Sequence, residues 1–205
     1  MNNAEKILAS RSELIRNLPE LGSSTEEEGG CGVTGFICSI PVSGKNIFEP
    51  SVQMHNRGNG KGGGVGAVGF VPEALGVSKK VLDEDYMLHI ALLDNKVEKE
   101  IENDFIKPFF KIDKAEKLDT IADFHSIGLD VKPPDIMRFF VRVKDDILDK
   151  FIAEKKLTGL QRRDAEDEFV YQNSFKINSK YYASLGEKKA FVMRSEEHTS
   201  ELQSP

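Results

Sequence analysis

Tryptophan is absent from this 205-residue chain, cysteine occurs twice and histidine four times. Two cysteines, Cys31 and Cys38, make no disulfide framework, so a cytoplasmic location is the expectation. The scattered histidines show no metal-ligand spacing, and neither a metal nor any other cofactor is expected. No uninterrupted apolar stretch approaches the ~20 residues of a membrane span. Met1–Gly30 also lacks the apolar core of a secretory signal. A basic excess is missing too: 28 Lys and Arg stand against 34 Asp and Glu, a net charge of −6, which argues against a nucleic-acid partner. What remains is 39% hydrophobic and 30% charged, enough for one or two globular cores.

Glycine, by contrast, is concentrated around one cysteine. Cys31 lies in the run Gly29-Gly30-Cys31-Gly32-Val33-Thr34-Gly35-Phe36. Were the residues before it removed, a single residue would supply both a thiol and its base. A thiol of pKa ~8.5 is mostly protonated at neutral pH, and a free α-amine of pKa about 7.7–8.0 can take its proton. The plainer reading makes Cys31 a small buried hydrophobe beside tight-turn glycines. After the apolar run to Ile40 the chain reaches Met54-His55-Asn56-Arg57-Gly58-Asn59-Gly60-Lys61-Gly62-Gly63-Gly64, then a second apolar run, Val65–Val71.

This pair of segments resembles the opening of class II glutamine amidotransferases, most nearly the archaeal-type glutamate synthase glutaminase subunit. The resemblance rests on Cys31-Gly32-Val33-Thr34-Gly35 and on Arg57-Gly58 followed by Gly63, and it extends to Met193. Asn56 departs from the histidine usual before the Arg-Gly. The resemblance implies a partial N-terminal-nucleophile hydrolase (αββα) core, autocatalytic cleavage between Gly30 and Cys31, and release of ammonia from L-glutamine through a Cys31 thioester. It implies that Arg57 and Gly58 shape the turn at the nucleophile, and that a synthase subunit or domain accepts the ammonia. An oxyanion Asn-Gly pair and a substrate-holding Arg and Asp are expected beyond Met193, which would leave this chain inactive by itself. Two other readings stay open: a noncatalytic interaction protein with a structural Cys31, and another N-terminal-nucleophile amidase.

The expected fold class is α+β, in five segments. Residues 1–30 form a propeptide and linker, with Ile7, Leu8, Leu14, Ile15 and Leu18 at helical spacing and Pro19 ending the pattern. The amidotransferase domain starts at 31–84, with Gly32–Ile40 and Val65–Val71 as its first two paired strands. Gly64-Val65-Gly66-Ala67-Val68-Gly69 matches Gly-x-Gly-x-x-Gly, but no apolar strand leads into it and no helix pattern follows, so nucleotide binding is set aside.

Residues 85–178 read as an inserted ferredoxin-like β-α-β-β-α-β unit. Its elements are a strand at Tyr86–Leu93, a helix from Lys96 capped by Asn95 and Glu98, a strand at Ala115–Ala122, a strand at Ile136–Lys144, a helix opening at Asp145-Asp146, and a strand at Phe169–Ile177. The charged run Arg162–Glu168 reads as a solvated face. Residues 179–193 are return strands of the amidotransferase domain. Arg194–Pro205 resembles a translated sequencing adapter and is excluded from fold reasoning; without its one Arg and three Glu the net charge is −4.

Overall fold

The computed structural model describes residues 2–16, 32–47, 50, 51, 54, 66–118, 120–127, 132–183 and 187–193. These are α+β, with one four-stranded antiparallel sheet. Two compact units divide the chain: Met1–Pro19 with Ser78–Pro205, and Glu20–Val77.

In the first unit the chain opens with α1, Asn3–Ser10, begun by a capping box. The Asn2 side chain accepts from the Glu5 N–H at 2.8 Å and the Glu5 carboxylate accepts from the Asn2 N–H at 2.9 Å. A short α2, Ser12–Ile15, follows. After the second unit, α3 (Lys79–Glu84) is capped by Ser78 and leads into β1, Tyr86–Leu92.

Asp94, not Asn95, caps the next helical segment by accepting from the Lys96 N–H. Asn95 instead donates to Asp135 at 2.9 Å. That segment runs through α4, Glu98–Ile101, into a π turn, Glu102–Ile106. Pro108 follows two residues later, where a helix could not continue.

Next come β2, Phe110–Leu118, and β3, Asp135–Val143. β2 starts five residues earlier than its polar pattern suggests, because Phe110 belongs to the sheet core and not to the preceding helix face. α5 is Asp145–Glu154 and α6 is Arg162–Tyr181. Between them Lys156 and Gly159 adopt positive φ, 57° and 92°, and turn the chain. β4, Ala190–Met193, closes the sheet.

The strand order is β2-β3-β1-β4. β1 pairs with β3 from Tyr86↔Val141 to Leu92↔Asp135, and with β4 from His89↔Met193 to Leu92↔Ala190. The β2–β3 register shifts between Ile112 and Lys114, a bulge that leaves Asp113 unpaired in the ladder.

Alternation places Leu88, Ile90, Met137, Phe139 and Val141 in the core with Ile101, Leu148 and Ile177 from the helices. Phe169 is its aromatic hub, edge-on to Phe109, Phe110 and Phe151 with centroids 5.8, 5.8 and 5.2 Å away.

Two expectations are corrected here. Phe169–Ile177 is helical, and the sheet takes its fourth strand from Ala190–Met193, a segment expected to return to another domain. The reason is burial on two sides of α6. Ala165, Phe169, Asn173, Ile177 and Tyr181 recur every fourth residue toward the core, with the Asn173 amide donating to the Phe105 carbonyl at 3.0 Å. Glu168 and Gln172, also four apart, are buried as well. A helix covered on two sides shows no clean apolar stripe.

The second correction concerns Glu20–Val77. Its described residues contain 3₁₀ turns at Gly44–Ile47 and Pro72–Leu75, the latter closed by Gly76 at φ 62°, and no strand. Gly32–Ile40 and the described part of Val65–Val71 are therefore not paired strands. Val33 and Ile37 in the first run are 90% and 97% exposed and Val68 in the second is 64% exposed, so neither run buries the apolar side chains that would stabilise a ladder. A lone two-stranded pairing is marginal in water at best. No atom lies within 4 Å of a Cβ built at Gly35 or Gly66, so these glycines do not mark close backbone approach.

Candidate functional site

Three carboxylates converge on one guanidinium where α3 meets the sheet. Arg142, on β3, reaches Glu84 through Nη1 at 3.0 Å, Asp113 through Nη2 at 2.7 Å and Asp85 through Nε at 2.9 Å. Local structure explains each position. Glu84 ends α3, Asp85 caps it, and the β2 bulge projects Asp113 toward the same spot.

Lys111 adds a weaker ion pair to Asp113 at 3.5 Å. Asp85 is the unusual member. Its side chain has no solvent exposure, and its carboxylate lies against the Arg142 guanidinium and the Asp113 carboxylate. Burial, and then the charge of Asp113, push its carboxyl up to about 7. Asp113, hydrogen-bonded by Arg142, is held below the usual carboxylate range. Three carboxylates share Arg142 and Lys111, and the buried one, Asp85, is the member whose charged form is disfavoured.

The adjoining residues brace this junction. The Tyr86 hydroxyl donates to Asp167 on α6, and the Arg163 guanidinium sits 4.3 Å from the Tyr86 ring centroid. Arg163 also donates to the Glu84 carbonyl and to Glu166, both at 3.2 Å, and Glu166 accepts from the Val143 N–H at 3.0 Å. A carboxyl that titrates near neutrality suits acid–base chemistry. Asp85, however, is closed to solvent in this structure, and its surroundings are those of a strand-to-helix clasp. Further along β1, burial and then the charge of Arg138 lower the His89 pKa, and its Nε2 has no hydrogen-bond partner.

A second cluster seats the N-terminal helix on α6. Arg11 binds Glu168 in a fork, Nε to Oε1 at 2.8 Å and Nη2 to Oε2 at 2.6 Å, while its guanidinium lies 3.9 Å from the Tyr171 ring centroid. Glu168 is nearly sealed, with 2% of its side chain exposed against 33% for Arg11. Gln172 donates to the same carboxylate at 2.9 Å and to the Ser10 hydroxyl at 3.1 Å. The expectation of a solvated face for Arg162–Glu168 fails at this residue. No local pattern reveals it, because the partner of Glu168 lies 157 positions away.

A shallow cavity of about 170 Å³ lies between the end of β1 and the start of β3, lined by Leu93, Asn95, Lys132 and Asp135 among others. Asp135 is already engaged by Asn95 and Thr120, at 2.9 and 3.0 Å, which hold its carboxyl below the ordinary range.

Of the residues singled out from the sequence, Cys31, Arg57 and Gly58 lie outside the described residues, as do the tail Arg194–Pro205 and most of the glycine-rich stretch around Arg57. Cys38 is described, and its thiol is free and exposed. Among the described residues no helix is long and apolar enough to cross a membrane, and no three His, Cys, Asp or Glu are grouped to hold a metal ion. The chain matches no protein-family model, no curated protein and no solved structure.

Proposed function

We propose that this chain carries the nucleophile-bearing portion of a class II glutamine amidotransferase related to glutamate synthase. The observation that carries the reading is the pairing of Cys31-Gly32-Val33-Thr34-Gly35 with Arg57-Gly58 and Gly63. On this reading the unit containing the sheet is a ferredoxin-like accessory domain, and the order β2-β3-β1-β4 with helices after β1 and β3 supports that assignment.

Cleavage before Cys31 frees its α-amine, which takes the thiol proton. The thiolate attacks the side-chain amide carbon of L-glutamine, the amine returns the proton to the departing ammonia, and water hydrolyses the thioester to glutamate. Arg57 and Gly58 shape the turn beside the nucleophile, and ammonia passes to a synthase subunit or domain.

One observation favours the reading as a noncatalytic interaction protein with a structural Cys31. α1 is seated on α6 by a nearly buried ion pair, as a permanent N-terminus would be. Mass spectrometry of the natural gene product separates the two, since the glutaminase reading requires a chain that begins at Cys31. In that protein Cys31→Ser is expected to lower glutamate release by more than ~10³-fold while leaving the far-ultraviolet spectrum unchanged. Undiminished release would remove Cys31 as the nucleophile.

A further inference from the structure

The seat for the N-terminal helix joins these two readings. We propose that the flank of α6 and the α5–α6 turn hold the N-terminal peptide in place after the chain is cut before Cys31, so that the peptide becomes a bound partner of the mature protein. The proposal rests on the glutaminase reading. The cut consumes one water: the Gly30 carbonyl gains the hydroxyl and becomes a carboxylic acid, and the Cys31 nitrogen gains the proton and becomes an amine. The contacts that join the helix to its seat come from Lys6, Ser10, Arg11 and Glu13, all on the N-terminal side of that bond.

The complementarity runs in both directions. From the helix, Lys6 donates to the Thr158 carbonyl at 2.7 Å and Arg11 forks onto Glu168. From the seat, Lys155 reaches back to Glu13 at 2.6 Å and Gln172 donates to the Ser10 hydroxyl. The turn that presents Thr158 is set by the positive φ of Lys156 and Gly159, and a Cβ built at Gly159 would stand 3.3 Å from the Lys6 ammonium nitrogen.

The helix also carries its own start signal, the Asn2–Glu5 capping box, and needs no covalent continuation to define that end. Leu8 faces solvent while Ile7 and Leu14 are half-buried, and the specific contacts of the segment are the charged and hydrogen-bonded ones at Lys6, Ser10, Arg11 and Glu13. Loss of the peptide would take Arg11 from Glu168 and leave the carboxylate to Gln172 and water.

The test is gel filtration of the natural full-length protein at low micromolar concentration, with each peak weighed by denaturing mass spectrometry. The expected result is a peptide ending at Gly30 that elutes one-to-one with a chain beginning at Cys31. A chain beginning at Cys31 without the peptide overturns the seat and leaves the glutaminase reading standing. A single uncut chain overturns both. A labelled copy of residues 1–30 bound to the mature protein should be displaced by unlabelled wild-type peptide, with an Arg11→Ala peptide requiring roughly tenfold more or greater, the loss expected for a charge-assisted bond. Equal displacement by the two peptides would overturn Arg11–Glu168 as the anchor. That comparison leaves the protein side unaltered, so misfolding cannot produce it.

Discussion

Glu20–Val77 and the unit built around the sheet are made from the same alphabet, used differently. Fourteen of the seventeen glycines fall in Glu20–Val77, where each adds backbone freedom that ordering must remove. None of its described apolar residues is buried, and Val33, Ile37, Ile40 and Val68 are exposed. In the other unit the apolar residues repeat with the period of their elements and meet in one core. Regular structure follows where periodic apolar side chains have somewhere to be buried. A β-like composition without such a destination yields turns and unpaired extended chain.

The sharpest way to break this contrast is to empty the core. Phe110 is 2% exposed and edge-on to Phe169, so Phe110→Ala is expected to cost about 3–5 kcal/mol in urea denaturation, the usual range for a buried phenylalanine. A loss under about 1 kcal/mol, the scale of an ordinary surface change, would mean that the sheet is not held by this core.

Next in size is the pH response of the Asp85 clasp. Its carboxyl is raised from 3.8 to about 7, so the folded state binds a proton more tightly than the unfolded chain does. The stabilisation is fully present below pH ~4 and is lost as pH rises through ~7, amounting to on the order of 2–4 kcal/mol across that window. The lowered Asp113 acts oppositely, costing stability only as the pH falls through and below its ordinary value of 3.8. Asp85→Asn should flatten the fall between pH 4 and 7. An unchanged pH profile in that variant would assign the titration to another group.

The smallest effect is expected in Glu20–Val77, where Ile37, 97% exposed, should tolerate Ile37→Ser within about 0.5 kcal/mol. A loss of several kcal/mol there would erase the distinction between the two regions.

The legibility of the sequence follows the same division. β3 can be read from alternation, because Met137, Phe139, Val141 and Val143 all lie in the core, and β1 from its apolar run. α5 can be read from its paired aspartates and apolar face. α6 defeats such reading because polar Gln172 and Asn173 occupy buried positions, and the sheet then takes a strand beyond it. The site divides likewise. Cys31 stands out through its neighbours in sequence, whereas Glu168 acquires its character from Arg11, and Asp85 from burial and from Asp113, all set by residues distant along the chain. Charge patterns cannot announce a partner they do not adjoin.

The strand order also sets a timetable for synthesis. β1 lies in the interior of the sheet, yet both its neighbours are translated after it, and β4 follows about a hundred residues later. At ribosomal speeds of about 5–20 residues per second, one edge of β1 waits roughly 5–20 s for its partner. During that interval it presents a row of unpaired amides and carbonyls flanked by Leu88, Ile90 and Leu92, the kind of surface on which nascent chains adhere to one another. The four residues Ala190–Met193 therefore bear a duty beyond their length: their arrival covers the edge of β1 that β3 leaves open.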